Sequence, residues 1–197
     1  MKTALVLIDL QSDFLQPWGR LKVGEQQALA VIRCASRLIS AAPQKGMLPV
    51  FVANQFRPDD WIGNILRKHS ALKGSKGAEI DPRIPGPALP LFPKEKSDAF
   101  SNADLNRYLQ SNQITNLLIA GVMTEACVRA TTAGAIQHGY QVTVVSDGVE
   151  SDKHWKKAFG LWWMRRLGAH IQTCDETLAR RDADAQTLPQ DPERLHA

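Results

Sequence analysis

Along the chain, short unbroken apolar runs alternate with longer stretches whose apolar residues recur every three or four positions. Residues 3–8 (TALVLI) form the first run, ended by Asp9: a strand buried on both faces, with a carboxylate at its carboxyl tip. Residues 10–24, with Pro17-Trp18-Gly19, read as a loop over that end. Residues 25–42 place Ala28, Val31, Ile32, Ala35, Leu38 and Ile39 on one helical stripe, with Cys34 beside it as packing. Residues 47–53 (MLPVFVA) are the next strand. This β-α-β order calls for a right-handed crossover and parallel pairing. A strand at 89–93, a helix at 103–111, a strand at 117–120 and a helix running to Gly139 follow. A strand at 141–146, a helix at 153–167 and a last strand at 169–173 complete the pattern. Six strands alternating with helices predict an α/β fold. It is a single doubly wound domain over residues 1–175, with a six-stranded parallel sheet and helices on both faces. Residues 176–197, polar and containing Pro189 and Pro192, read as a C-terminal tail.

The segment 54–88 departs from this regularity. It holds Trp61, a short helical stretch near 62–69 and the run LKGSKGAEIDPRIPGP. A connection of that length is usually functional, often as a lid over a site.

Composition adds exclusions. The 197 residues carry 24 Lys plus Arg against 20 Asp plus Glu, a net charge of +4 without any block of like charges, so no nucleic-acid partner is expected. Three scattered cysteines (Cys34, Cys127, Cys174) make neither a disulfide framework nor a C-x-x-C zinc pattern. The N-terminal apolar run is too brief for a signal segment and no stretch reaches membrane-spanning length, so a cytoplasmic protein without membrane partners is expected.

Candidate chemistry gathers at the strand ends. After the run 117–120 come Gly121-Val122-Met123, then Thr124 as an N-cap and Cys127 in the first helical turn. Backbone N–H groups and the helix dipole at such a turn lower a thiol pKa and can hold an oxyanion. Most free cysteines are packing residues, so the position alone does not decide. Asp9 and Lys94, however, also fall just past the carboxyl ends of strands, where open α/β sheets bind ligands. Asp9 suits a base for the thiol, and Lys94 a cation that holds Asp9 ionised and stabilises the thiolate. The carboxylate raises a thiol pKa and the ammonium lowers it, so the net balance stays open. Each alone would read as a surface ion pair.

Three segments in order, ALVLIDLQSDF, KEKSDAF and LLIAGVMTEACVRATTAGAIQHGYQVTVVSDGVES, resemble the isochorismatase-like cysteine hydrolases. That family includes nicotinamidases, N-carbamoylsarcosine amidohydrolase and ureidoacrylate amidohydrolase. The resemblance implies an Asp9–Lys94–Cys127 catalytic triad and an oxyanion hole from the backbone N–H groups of Met123 and Cys127. It also implies a cis peptide at Val122–Met123, Phe14 in the substrate pocket, and a homo-oligomer, dimer or tetramer. Gln55 and Trp61, in the irregular segment, are further substrate-binding candidates. Nicotinamidases of this kind carry D-x-H-x-x-H after the second strand; here that stretch is Asn54-Gln55-Phe56-Arg57-Pro58-Asp59, so no metal and no cofactor are expected. Ser101-Asn102 stands where Gly-Thr is usual, and Gly134 where an acidic residue is usual. The leading expectation is a hydrolase that cleaves a C–N bond of a small amide or ureido compound through a thioester. The alternatives are an isochorismatase-type vinyl ether hydrolase, which Cys127 disfavours, and a non-catalytic binding protein. Of the pair Trp162–Trp163, core or subunit contact is expected.

Overall fold

The computed structural model describes residues 1–86 and 88–179. The central strand β1 (Lys2–Ile8) is buried from its second residue on. Its side chains alternate between two cores: Leu5 and Leu7 join one, while Ala4, Val6 and Ile8 join the other. Full burial of each of the larger ones stabilises the fold by about 2 kcal/mol.

Strands β2 (Met47–Asn54), β3 (Leu91–Lys94), β4 (Ile114–Val122), β5 (Gln141–Glu150) and β6 (His170–Gln172) complete one six-stranded sheet in the order β3-β2-β1-β4-β5-β6. Every pairing is parallel. Helix α2 (Glu25–Ala41) lies on one face, with Val31, Ala35 and Leu38 in the first core, behind the short α1 (Ser12–Leu15). Helix α3 (Trp61–Leu66) lies in the segment that follows β2. Helices α4 (Ala103–Ser111), α5 (Arg129–Gln137) and α6 (His154–Arg166) contribute Leu105, Leu109, Ala135 and Met164 to the second core. The strand order reverses between β1 and β4, so their carboxyl ends flank the crevice where such sheets hold ligands.

The structure differs from the sequence expectation in places that matter to the site. The region 10–24 contains α1, a helical turn whose residues are all buried. Strand β3 starts two residues later than expected and ends one later, on Lys94 itself, paired with Asn54 of β2. Strand β5 runs four residues past the expected end at 146, to Glu150, and the Cys34 thiol occupies the space that a side chain on Gly148 would take. Thr124 is no N-cap. The N-cap position is Met123, and Thr124 opens a π-helical turn (Thr124–Val128) with its Oγ1 buried and unpaired. A Cβ on Gly160 of α6 would press on the Thr124 carbonyl, so close helix packing holds Thr124 inside.

Residues 174–179 are helical and Thr177 is buried, so the folded chain continues past 176; the rest of the expected tail, 180–197, lies outside the described residues. Among the described residues no helix is long and apolar enough to cross a membrane.

Candidate active site

Asp9 follows β1 with φ +54°, a left-handed conformation that aspartate tolerates better than most residues. Its N–H donates to the Val52 carbonyl at 2.8 Å. Gly121 makes the adjacent approach of β4 to β1 feasible: its φ is +137°, and a Cβ there would collide with the Ile8 carbonyl. β4 thus passes close beneath Asp9 before turning into the helix that carries Cys127. The Val122–Met123 peptide is cis.

The three side chains meet. Lys94 Nζ donates to Asp9 Oδ2 at 3.0 Å, to Asn54 Oδ1 at 2.7 Å and to Cys127 Sγ at 3.3 Å. The Lys94 and Asp9 side chains are 0% and 1% exposed, so solvent does not screen the pair. Asp9 Oδ1 accepts the Asn54 N–H at 3.0 Å, and Asn54 Nδ2 points at Cys127 Sγ from 3.8 Å. Gln11 braces this arrangement: its Oε1 accepts the Asn54 N–H at 2.9 Å, and its Nε2 donates to the carbonyls of Asn54 and Ala78, both at 2.7 Å.

The electrostatics follow. Burial pushes the Cys127 thiol up to about 12, and the Asp9 carboxylate adds to the rise, against the lowering effect of Lys94 and Asn54. Burial alone would lower the Lys94 pKa, yet the negative charges of Asp9 and ionised Cys127 raise it, so the ammonium persists. The balance between carboxylate and ammonium that the sequence leaves open thus falls on the side of a raised thiol pKa, because burial adds to the effect of Asp9. Asp9 is the carboxylate beside the thiol, and its charge is one cause of the raised pKa.

A pocket of about 160 Å³ opens on Cys127, lined also by Asp9, Phe14, Asn54, Phe56, Arg67 and Met123 among others. Phe14 is thus among the residues around the cavity that opens on Cys127. Gln55 instead lines a separate groove of about 460 Å³, with Lys94, Lys96 and Arg107. Trp61 is 68% exposed on α3 and lines neither space. Of the tryptophan pair, Trp163 packs against the core with Arg129 over its ring, and Trp162 is exposed.

Sequence reasoning missed Asn54, Gln11 and Arg67. Asn54 ends β2 just as Lys94 ends β3, and that shared position was the available signal. The two departures from the family pattern also gain an account. The Asp98 carboxylate occupies the space that a side chain on Gly134 would take. Asn102 caps α4 by accepting the Asp104 N–H at 2.9 Å and donates to the Pro93 carbonyl at 2.8 Å, anchoring the strand that carries Lys94.

Residues 54–59 do not suit a divalent cation. Asn54 Oδ1 accepts from Lys94, Asp59 is paired with Arg57, and Phe56 is buried carbon. Among the described residues no cluster of three or more His, Cys, Asp or Glu could hold a metal.

The pattern of the isochorismatase domain matches residues 3–176. This chain belongs to the isochorismatase family. Its relatives include an isochorismatase family protein of Bacillus subtilis, 32% identical over 75% of this chain and 77% of its own length. A probable inactive nicotinamidase of Arabidopsis thaliana is 26% identical, covering 88% of this chain and 93% of its own. Among solved structures, N-carbamoylsarcosine amidase from Thermoplasma acidophilum superimposes with a TM-score of 0.75 at 28% identity, over 89% of this chain and 98% of that one. Isochorismatase-family relatives thus include enzymes that act on C–N bonds.

Proposed function

We propose that this protein hydrolyses the C–N bond of a small amide or ureido compound, with Cys127 as nucleophile and no metal ion. The observation that carries the reading is the hydrogen-bonded chain Asp9–Lys94–Cys127 at the sheet's switch point, facing a small pocket. The amidase relatives support the reaction class.

In this mechanism Cys127 Sγ attacks the carbonyl carbon as its proton passes to Asp9. The oxyanion meets the N–H groups of Met123 and Cys127. Collapse breaks the C–N bond, and Asp9 returns the proton to the leaving nitrogen, releasing ammonia or an amine and leaving a thioester. Water then attacks the thioester and gives a proton to Asp9. The departing thiolate takes that proton back as the acid is released. Lys94 stays charged throughout, stabilising Asp9 and the thiolate in turn. A nucleophile with a pKa near 12 is mostly protonated at neutral pH, so its deprotonation coupled to attack is central to the rate.

The protein is proposed to work in the cytoplasm as a homo-oligomer, consistent with three free cysteines and with exposed Trp155, Phe159 and Trp162 along α6. The test is ammonia release from a panel of small amides and ureas. The wild-type chain should release it, dialysis against a chelator should leave the rate unchanged, and Cys127→Ser should abolish it. No release from any compound would instead favour a non-catalytic binding protein. Loss on chelation with recovery on added zinc would overturn the metal-free mechanism.

A further inference from the structure

Two of the three thiols take no part in the chemistry at Cys127, and the fold brings them together. Cys34 lies on α2, and Cys174 opens the helical segment 174–179 that follows β6; both are buried. Their meeting point is the end of β5. Cys34 Sγ occupies the space that a side chain on Gly148 would take, and the Cys174 N–H donates to Asp147 Oδ1 at 2.7 Å. Adjacent residues of one strand thus hold the two cysteines, and their thiols are hydrogen-bonded to each other. Both belong to the first core, whereas Cys127 packs against the second, across the sheet.

The pair is asymmetric. The hydrogen bond from Cys34 lowers the Cys174 pKa, and the Arg37 guanidinium acts the same way, against burial and the charges of Asp147 and Asp175. The same hydrogen bond, with burial, pushes the Cys34 thiol up. Cys174 is therefore the sulfur that ionises, and Cys34 the one that keeps its proton. The outer side of the segment carrying Cys174 is held by exposed contacts. Arg37 and Asp175 pair at 2.5 Å with 52% and 79% of their side chains exposed, and Lys45 Nζ donates to the Leu178 carbonyl at 3.2 Å. Exposed pairs of this kind hold a segment weakly, so local opening admits a small oxidant to Cys174.

We propose that Cys34 and Cys174 form a peroxide-sensitive dithiol, a modification site separate from Cys127, whose disulfide fastens the segment 174–179 to α2. The oxidant is a hydroperoxide. The Cys174 sulfur attacks one peroxide oxygen, the O–O bond breaks, and for hydrogen peroxide the other oxygen leaves as water with the thiol proton. Cys174 is then a sulfenic acid. Once the segment closes again, the Cys34 sulfur attacks the Cys174 sulfur, the S–O bond breaks, and a second water leaves with the Cys34 proton. Two electrons pass from the thiols to the peroxide. The bond links residues that enclose most of the chain, so it restricts the unfolded state strongly. None of this depends on the amidase reading.

Peptide mapping without reductant, after exposure of the full-length Cys127→Ser chain to hydrogen peroxide, tests this. That background keeps the third thiol out of the readout. The chain should lose two hydrogen atoms, yield a peptide cross-linked through Cys34 and Cys174, and regain both free thiols with dithiothreitol. The oxidised form should melt about 5–15 °C above the reduced form. Adding Cys34→Ser should leave Cys174 as a sulfenic acid that dimedone traps, whereas adding Cys174→Ser should leave Cys34 a free thiol. Met1, which is 94% exposed, reports the dose of oxidant through its sulfoxide. Both thiols still free once Met1 is oxidised, or separate oxidation of each without a cross-link, overturns the proposal. So does Cys34 reacting in Cys174→Ser as fast as Cys174 reacts in Cys34→Ser, or a disulfide that leaves Tm unchanged.

Discussion

Replacing Lys94 with methionine removes the ammonium and keeps most of the alkyl stem. In the native fold Nζ serves Asp9, Asn54 and Cys127 at 3.0, 2.7 and 3.3 Å, and neither member of the ion pair touches solvent. Without it the Asp9 carboxylate keeps the Asn54 N–H as a donor at 3.0 Å and stays buried. Removing one partner of such a pair costs about 3–5 kcal/mol, because the remaining charge is uncompensated. The stranded Asn54 Oδ1 places this case near the upper end. Asp9→Asn removes the charge from the other side, and the double variant leaves no unpaired ion at all. Urea unfolding at pH 7 should therefore give a double variant less destabilised than the sum of the singles by about 2 kcal/mol or more. Additive single effects, or a Lys94→Met loss below about 1 kcal/mol, would refute the claim that the pair is a tightly coupled buried unit.

Two more outcomes follow from the same geometry. The fold holds the Cys127 proton from its ordinary value of 9.0 up to about 12, so the unfolded chain releases it first and stability falls as pH rises through that window. The loss amounts to about 1.4 kcal/mol per pH unit, up to about 4 kcal/mol across the window; Cys127→Ala should flatten this alkaline slope in urea titrations, and parallel curves would contradict it. Asp13, buried beneath the 54–88 segment, accepts the Ala71 N–H at 2.7 Å and the Arg20 N–H at 3.2 Å. Asp13→Ala should cost about 2–3 kcal/mol and speed amide hydrogen exchange at Ala71, whereas unchanged exchange there would show that the carboxylate does not hold the segment down.

Much of this was legible along the chain because burial on both faces leaves a plain mark. Runs such as TALVLI and LLIA have no polar alternation, so strand identity, parallel pairing and the alignment of Asp9, Lys94 and Cys127 at one edge follow from pattern. The thiol pKa of Cys127 was not legible: a helix start and Lys94 argue for a lower value and Asp9 for a higher one, and the depth of burial that tips the balance upward is a property of the fold. Asn54, Gln11 and Asp13 were opaque because short polar side chains near strand ends resemble turn residues until their partners, such as Ala78 and Ala71, are brought in from far along the chain. Thr124 misled for a related reason. Local capping chemistry favours it, but its contact with Gly160 of α6 prevails. Arg67 lay in a segment without periodicity, where no pattern distinguishes a pocket cation from a solvated one.

The central claim is covalent catalysis at Cys127, and intact-protein mass spectrometry after rapid acid quenching tests it most directly. Incubated with the amide or ureido compound turned over fastest, the wild-type chain should gain the mass of its acyl group, with loss of ammonia or amine. Peptide mapping should place that adduct on Cys127 and leave Cys34 and Cys174, both buried, unmodified. Asp9→Asn should slow the appearance of the adduct by about 10²–10⁴-fold. An acyl group on any other residue, or full turnover by Cys127→Ser, would contradict the account.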